Sequence, residues 1–80
     1  MSADGTILAT IDRLFGAMIA QQEEKVLRLA RQIVPDVTPE DVRNPHDFPL
    51  LVGDPEFNYE DGFLAGLRSA HIAARAELRR

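Results

Sequence analysis

The chain has 80 residues, 45% of them hydrophobic, no cysteine and a formal net charge of −4. That length bounds it to one domain, residues 1–80, and so short a chain buries only about 60–65% of the surface its unfolded form exposes. The missing cysteines exclude disulfides, thiolate metal sites and cysteine nucleophiles. Small domains usually gain support from such devices or from a partner subunit, so oligomerisation is the expected support here.

No apolar run approaches the ~20 residues of a membrane span. The start, Met1-Ser2-Ala3-Asp4-Gly5, lacks the basic and apolar regions of an export signal. A cytoplasmic location is the expectation, with no membrane partner. Charge is uneven. Residues 1–35 are balanced, residues 36–61 carry eight acids against Arg43, and residues 62–80 carry four arginines against Glu77. An acidic whole argues against nucleic-acid binding, which needs a basic face. The arginines near the C-terminus read as cations complementing a helix dipole.

The first element is a helix over about 5–34. Asp4 is its expected N-cap, and Pro35 ends it by pushing the preceding residue out of the α region. Leu8, Ile11, Phe15, Ile19, Val26, Leu29 and Ile33 form one apolar stripe, which Ile7, Leu14 and Met18 widen. Ala9, Gly16, Ala20, Leu27 and Val34 form a second strip, leaving a polar wedge around Arg13, Glu24, Arg28 and Arg31. A helix packed on one neighbour needs one apolar face. The width of this one predicts contacts from more than one side, and hence a homo-oligomer. Gln22 interrupts the stripe and reads either as a register-fixing polar group across a dimer or as a solvated edge.

All five prolines fall between Pro35 and Pro55, which defines a connector over 35–57. Thr38-Pro39-Glu40-Asp41, Asn44-Pro45-His46-Asp47 and Asp54-Pro55-Glu56 each place a capping residue before proline and acid, so two or three short helical turns are expected. Phe48 and Phe57 read as anchors to the helix pair, or else as a docking surface among acids.

The second long helix is expected over about 58–79 with Asn58 as its cap. Its apolar stripe is Phe63, Leu64, Leu67, Ala70, His71, Ala74 and Leu78, beside a strip of small residues, Gly62, Gly66, Ala70 and Ala73. Glycine inside a helix costs about 0.8–1 kcal/mol relative to alanine, so this strip predicts close approach of another backbone.

Catalytic patterns are scarce. There is no phosphate-binding glycine loop, and Ser2 and Ser69 lack a base at triad-like spacing. The candidate metal ligands are His46, Asp47, Asp54, Glu56, Glu60, Asp61 and His71, without the i, i+4 histidine pair of a zinc helix. The acid pairs Glu23-Glu24 and Glu60-Asp61 lack the i, i+3 spacing with which all-α pyrophosphohydrolases grip Mg²⁺. No metal or cofactor is expected.

The expected fold is therefore all-α. An antiparallel helical hairpin of one long and one shorter helix is joined by a Pro-rich connector and pairs as a homodimer into a four-helix bundle, with Phe15, Met18, Ile19, Val26, Leu67 and Ala74 inside. The expected function is a non-enzymatic interaction or regulatory protein that self-associates or takes a protein partner. The candidate interface is Phe15, Met18, Ile19, Gln22, Val26, Gly62, Gly66, Ala70 and His71. The alternative is a small metal-dependent hydrolase using the acids at the start of the second helix.

Overall fold

A computed structural model describes residues 3–80, with side chains from Gly5 onward. The described residues form helices α1 (Ala3–Ile33), α2 (Pro39–Arg43), α3 (Pro49–Val52) and α4 (Pro55–Leu78), with a 3-10 turn at Pro45–Asp47 and no strand. The all-α fold, with one long and one shorter helix around a Pro-rich connector, is as expected. The hairpin is a rod of 49 × 18 × 17 Å with a radius of gyration of 15.4 Å, against about 12 Å for a compact domain of this length.

Helix α1 starts at Ala3, so Asp4 lies in its first turn instead of before it. Ser2 and the Asp4 side chain lie outside the described residues. At the other end Val34 N–H still reaches the Ala30 carbonyl at 2.8 Å, and Pro35 stops the helix there.

The connector is built on proline at the first helical position four times. Thr38 and Asp41 form a capping box over α2, with bonds of 3.1 and 3.0 Å between side chain and backbone in each direction. Asn44 was expected to cap the turn at Pro45. Its side chain instead donates back to the Glu40 carbonyl at 3.3 Å. The start of α3 at Phe48-Pro49 was not foreseen, because Phe48 offers no capping oxygen.

The second long helix begins four residues earlier than a cap at Asn58 would have it. Asp54 Oδ1 accepts from Phe57 N–H at 2.8 Å and caps α4. Nothing after Pro55 interrupts the helix, and Asn58 Nδ2 donates to the Val52 carbonyl at 2.8 Å, tying α3 to α4.

The core sits at one end of the rod. Val26, Ala30, Val37, Val42, Leu51, Phe57 and Leu64 are buried, with Ile19, Leu27, Leu29, Ile33, Val34 and Phe48 packed around them. Phe57 and Phe48 are therefore anchors, and the docking surface suggested for them is overturned. The connector also covers the distal half of the second apolar strip of α1, at Leu27 and Val34, while Ala9, Gly16 and Ala20 stay exposed. The single chain thus supplies part of the cover of that strip itself.

Beyond this core the rod is only two helices thick. Of the residues expected inside a bundle, Val26 alone is buried within the chain. Phe15, Met18, Ile19, Leu67 and Ala74 are partly covered.

Candidate interaction surfaces of the hairpin

A polar ladder fixes how α1 lies on α4. Positions 57, 60, 64, 67, 71, 74 and 78 of α4 alternate by three and four, which is a single face of a helix. Two of them, Glu60 and His71, are polar and both find partners on α1. Gln22 Nε2 donates to the Glu60 carbonyl at 3.0 Å and to Glu60 Oε1 at 2.8 Å. Lys25 Nζ lies 3.2 Å from Glu60 Oε2. The bond from Gln22 holds the Glu60 carboxyl below its usual pKa, against the opposing effect of burial and with help from Lys25.

Ten residues earlier on α1, Asp12 takes two donors from α4. His71 Nε2 lies 2.8 Å from Asp12 Oδ1, and Arg75 Nη1 donates to Asp12 Oδ2. The His71 contact, then the bond from Arg75, lowers the Asp12 pKa. The His71 ring also stacks on Phe15, with centroids 5.2 Å apart and planes inclined by 6°. Arg68 completes the ladder through an ion pair with Glu23. Among the described residues no buried side-chain nitrogen or oxygen lacks a partner.

The ladder gives several of the candidates a role within one chain. Gln22 is not a solvated edge. It is buried, and it joins the two helices of one chain. Val26 is likewise closed into the core. His71 is a contact residue between the two helices, and its partner Asp12 was not singled out from the sequence. The signal for Asp12 was present, since it lies four residues after Leu8 and three before Phe15 and so occupies a stripe position. Arg68 and Arg75 are cross-helix partners as well as cations toward a helix end.

Gly16, Gly62 and Gly66 behave differently from the prediction within one chain. A Cβ added to any of them would meet nothing within 4 Å. The small strips of α1 and α4 therefore do not pack on each other, and Gly62, Gly66 and Ala70 lie exposed.

Two concave surfaces flank the hairpin. One groove of about 670 Å³ runs between α1, α2 and α4, with Val26, Leu27, Val42 and Leu64 as floor. Its rim mixes acids, Glu24 and Asp61, with Arg43 and the Glu23 and Arg68 pair. On the opposite flank a smaller cleft of about 370 Å³ brings together Met18, Gln21, Lys25, Arg28, Phe63 and Leu67. Ile7, Leu14 and Phe63 are each about half exposed. Ile7 and Leu14 fall on the line of Met18, at spacings of seven and four.

Among the described residues no three histidine, aspartate or glutamate side chains gather closely enough to hold a metal ion. Glu60 is turned inward between Gln22 and Lys25. No described helix is long and apolar enough to cross a membrane. No known protein family, curated protein or solved structure matches the chain.

Proposed function

We propose that this chain is a small, non-enzymatic helical interaction or regulatory protein that self-associates, its dimer forming a four-helix bundle. One observation carries the reading. The connector closes a core at one end of the rod and leaves the other half as a bare helix pair. Ile7, Leu14 and Phe63 there are half exposed beside the partly covered Met18 and Leu67. Contiguous apolar surface of this kind marks an association site. The uncontacted glycines of α4 support the same reading, since they keep its surface low enough for another backbone to approach.

Light scattering across a concentration series tests this. A mass of two chains that Leu14→Glu reduces to one, with helicity retained, is the expected result. A folded monomer at all concentrations would overturn self-association and leave the face to a different protein. Melting with and without divalent metal checks the hydrolase alternative, and no rise in Tm is expected.

A further inference from the structure

We propose that two copies pair antiparallel along the open halves of their hairpins, leaving the two connectors at opposite ends of the assembly. This rests on the self-associating reading above and gives it a surface and a direction.

The surface is a second seam. On α1 the residues Ile7, Ile11, Leu14, Met18, Gln21, Lys25 and Arg28 follow spacings of four and three. The first four are apolar and lie in the open half, and the last three are polar or cationic and lie toward the connector. On α4 the matching line is Phe63, Gly66, Ala70, Ala73 and Glu77. Met18, Gln21, Lys25, Arg28 and Phe63 share the smaller cleft, so the two lines run along the same flank.

A twofold axis crossing the rod between Ile11 and Leu14 makes this seam complementary to itself. It sets Ile11 against Leu14 of the second copy and Ile7 against Met18. Asp12 meets His71 at this level, so the axis crosses α4 between Ala70 and Ala73. Two α4 helices then meet through alanines, which is where a close approach is possible. The same operation carries Arg80 to Phe63 of the second copy, a cation beside a half-exposed aromatic ring.

The parallel pairing fails on charge. It would enclose Gln21, Lys25 and Arg28 of both copies within the bundle, and buried cations without partners are costly. It would also set the two connector segments side by side, each with a net charge of −5 over residues 35–57. The antiparallel overlap of the two α1 helices ends at Gln22, before Lys25 and Arg28. It brings each arginine-rich segment, +3 over residues 62–80, toward the acidic end of the other copy.

The chain has no cysteine, so one label site can be introduced cleanly. His46 is about three-quarters exposed in the connector, and His46→Cys carrying a spin label gives one label per chain. Pulsed electron paramagnetic resonance on the dimer reads the distance between the two. The antiparallel pairing places the labels some fifteen to twenty helical residues on either side of the axis, roughly 45–60 Å apart. A distance below about 30 Å in a sample whose mass is that of a dimer would overturn the direction and leave self-association standing. A labelled sample with the mass of a monomer would overturn both. A second variant, Met18→Glu, removes an apolar residue from the overlap and is expected to abolish the long distance with helicity unchanged. Persistence of that distance would overturn the proposed surface.

Discussion

The side-chain amide of Gln22 donates to two acceptors on one residue of the facing helix, the carbonyl and the carboxylate of Glu60. A buried glutamine amide can satisfy a neighbouring strip of backbone and side chain together, and here it locks the axial position of α4 against α1. Replacing it removes both bonds while Lys25 still offers Glu60 one partner. Gln22→Leu should lower Tm by several degrees in a thermal scan. Gln22→Glu should lower it further at neutral pH, by setting two carboxylates against each other, and that excess should vanish as the pH falls and one of them takes a proton.

Acid should weaken the hairpin through Asp12 and Glu60. Both carboxyls have folded-state pKa values lowered from the ordinary carboxylate range, Asp12 chiefly by His71 and Glu60 chiefly by Gln22. A depressed pKa adds stability that is complete above the unfolded value, near ~4. That stability is lost as pH falls through the lower folded value. Tm should therefore be flat in this respect above about pH 5 and should fall on acidification below it. In Asp12→Asn the Tm at pH 7 should be lower and its decline in acid shallower. An Asp12→Asn curve parallel to wild type would show that the pairing with His71 and Arg75 contributes nothing.

Glycine in α4 should be replaceable at a gain. Gly62 lies inside the helix with open space where its Cβ would stand. Gly62→Ala should stabilise the dilute protein by about 0.5–1 kcal/mol. For a domain of this size that is a rise in Tm of roughly 2–8 °C. An unchanged or lower Tm would mean the position meets something within the folded protein.

The two halves of the rod should differ in their sensitivity to truncation. Leu51 and Phe57 are completely enclosed, and Leu51→Ala or Phe57→Ala should cost about 2–5 kcal/mol. Ile72 is more than two-thirds exposed, and Ile72→Ala should stay within about 0.5 kcal/mol. Chemical denaturation of the three variants checks the contrast. Hydrogen exchange should show the same boundary, with slow amides around Ala30 and Leu64 and faster ones at both ends of the open half in dilute samples.

Helical periodicity and proline placement made the two long helices and the capped turns legible from residue types alone. Thr38, Asp54 and Pro35 act through local chemistry, so their roles follow from their immediate neighbours. The extra start at Pro49 was hidden because Phe48 gives no capping signal. The position of the core was hidden for another reason. Which residues Leu51 and Phe57 would cover depends on how the connector turns, and periodicity carries no information about that. Wheel geometry showed that the apolar surface of α1 is wide, but it could not show that Leu27 and Val34 are covered by the chain itself. The ladder was the least visible feature. Asp12 and Glu60 lie at stripe positions, yet charged residues there become intelligible only when the opposite donors, His71, Arg75, Gln22 and Lys25, are in place.

The connector reverses the chain direction without any residue in the left-handed region among those described. After the turn at Pro35, every helical piece of the connector opens on a proline, so handedness is never borrowed from glycine. Gly53, the glycine of this segment, has a φ of −86°. An alanine there would meet the Pro49 carbonyl at 3.3 Å, so what restricts the site is proximity to one oxygen. The corner is thus encoded in part by where the ring-closed residues stand. Between the prolines, Thr38, Asp41 and Asp54 hold the helix starts and Val37, Val42 and Leu51 seat each piece on the core, so the path depends on the spacing of both sets together.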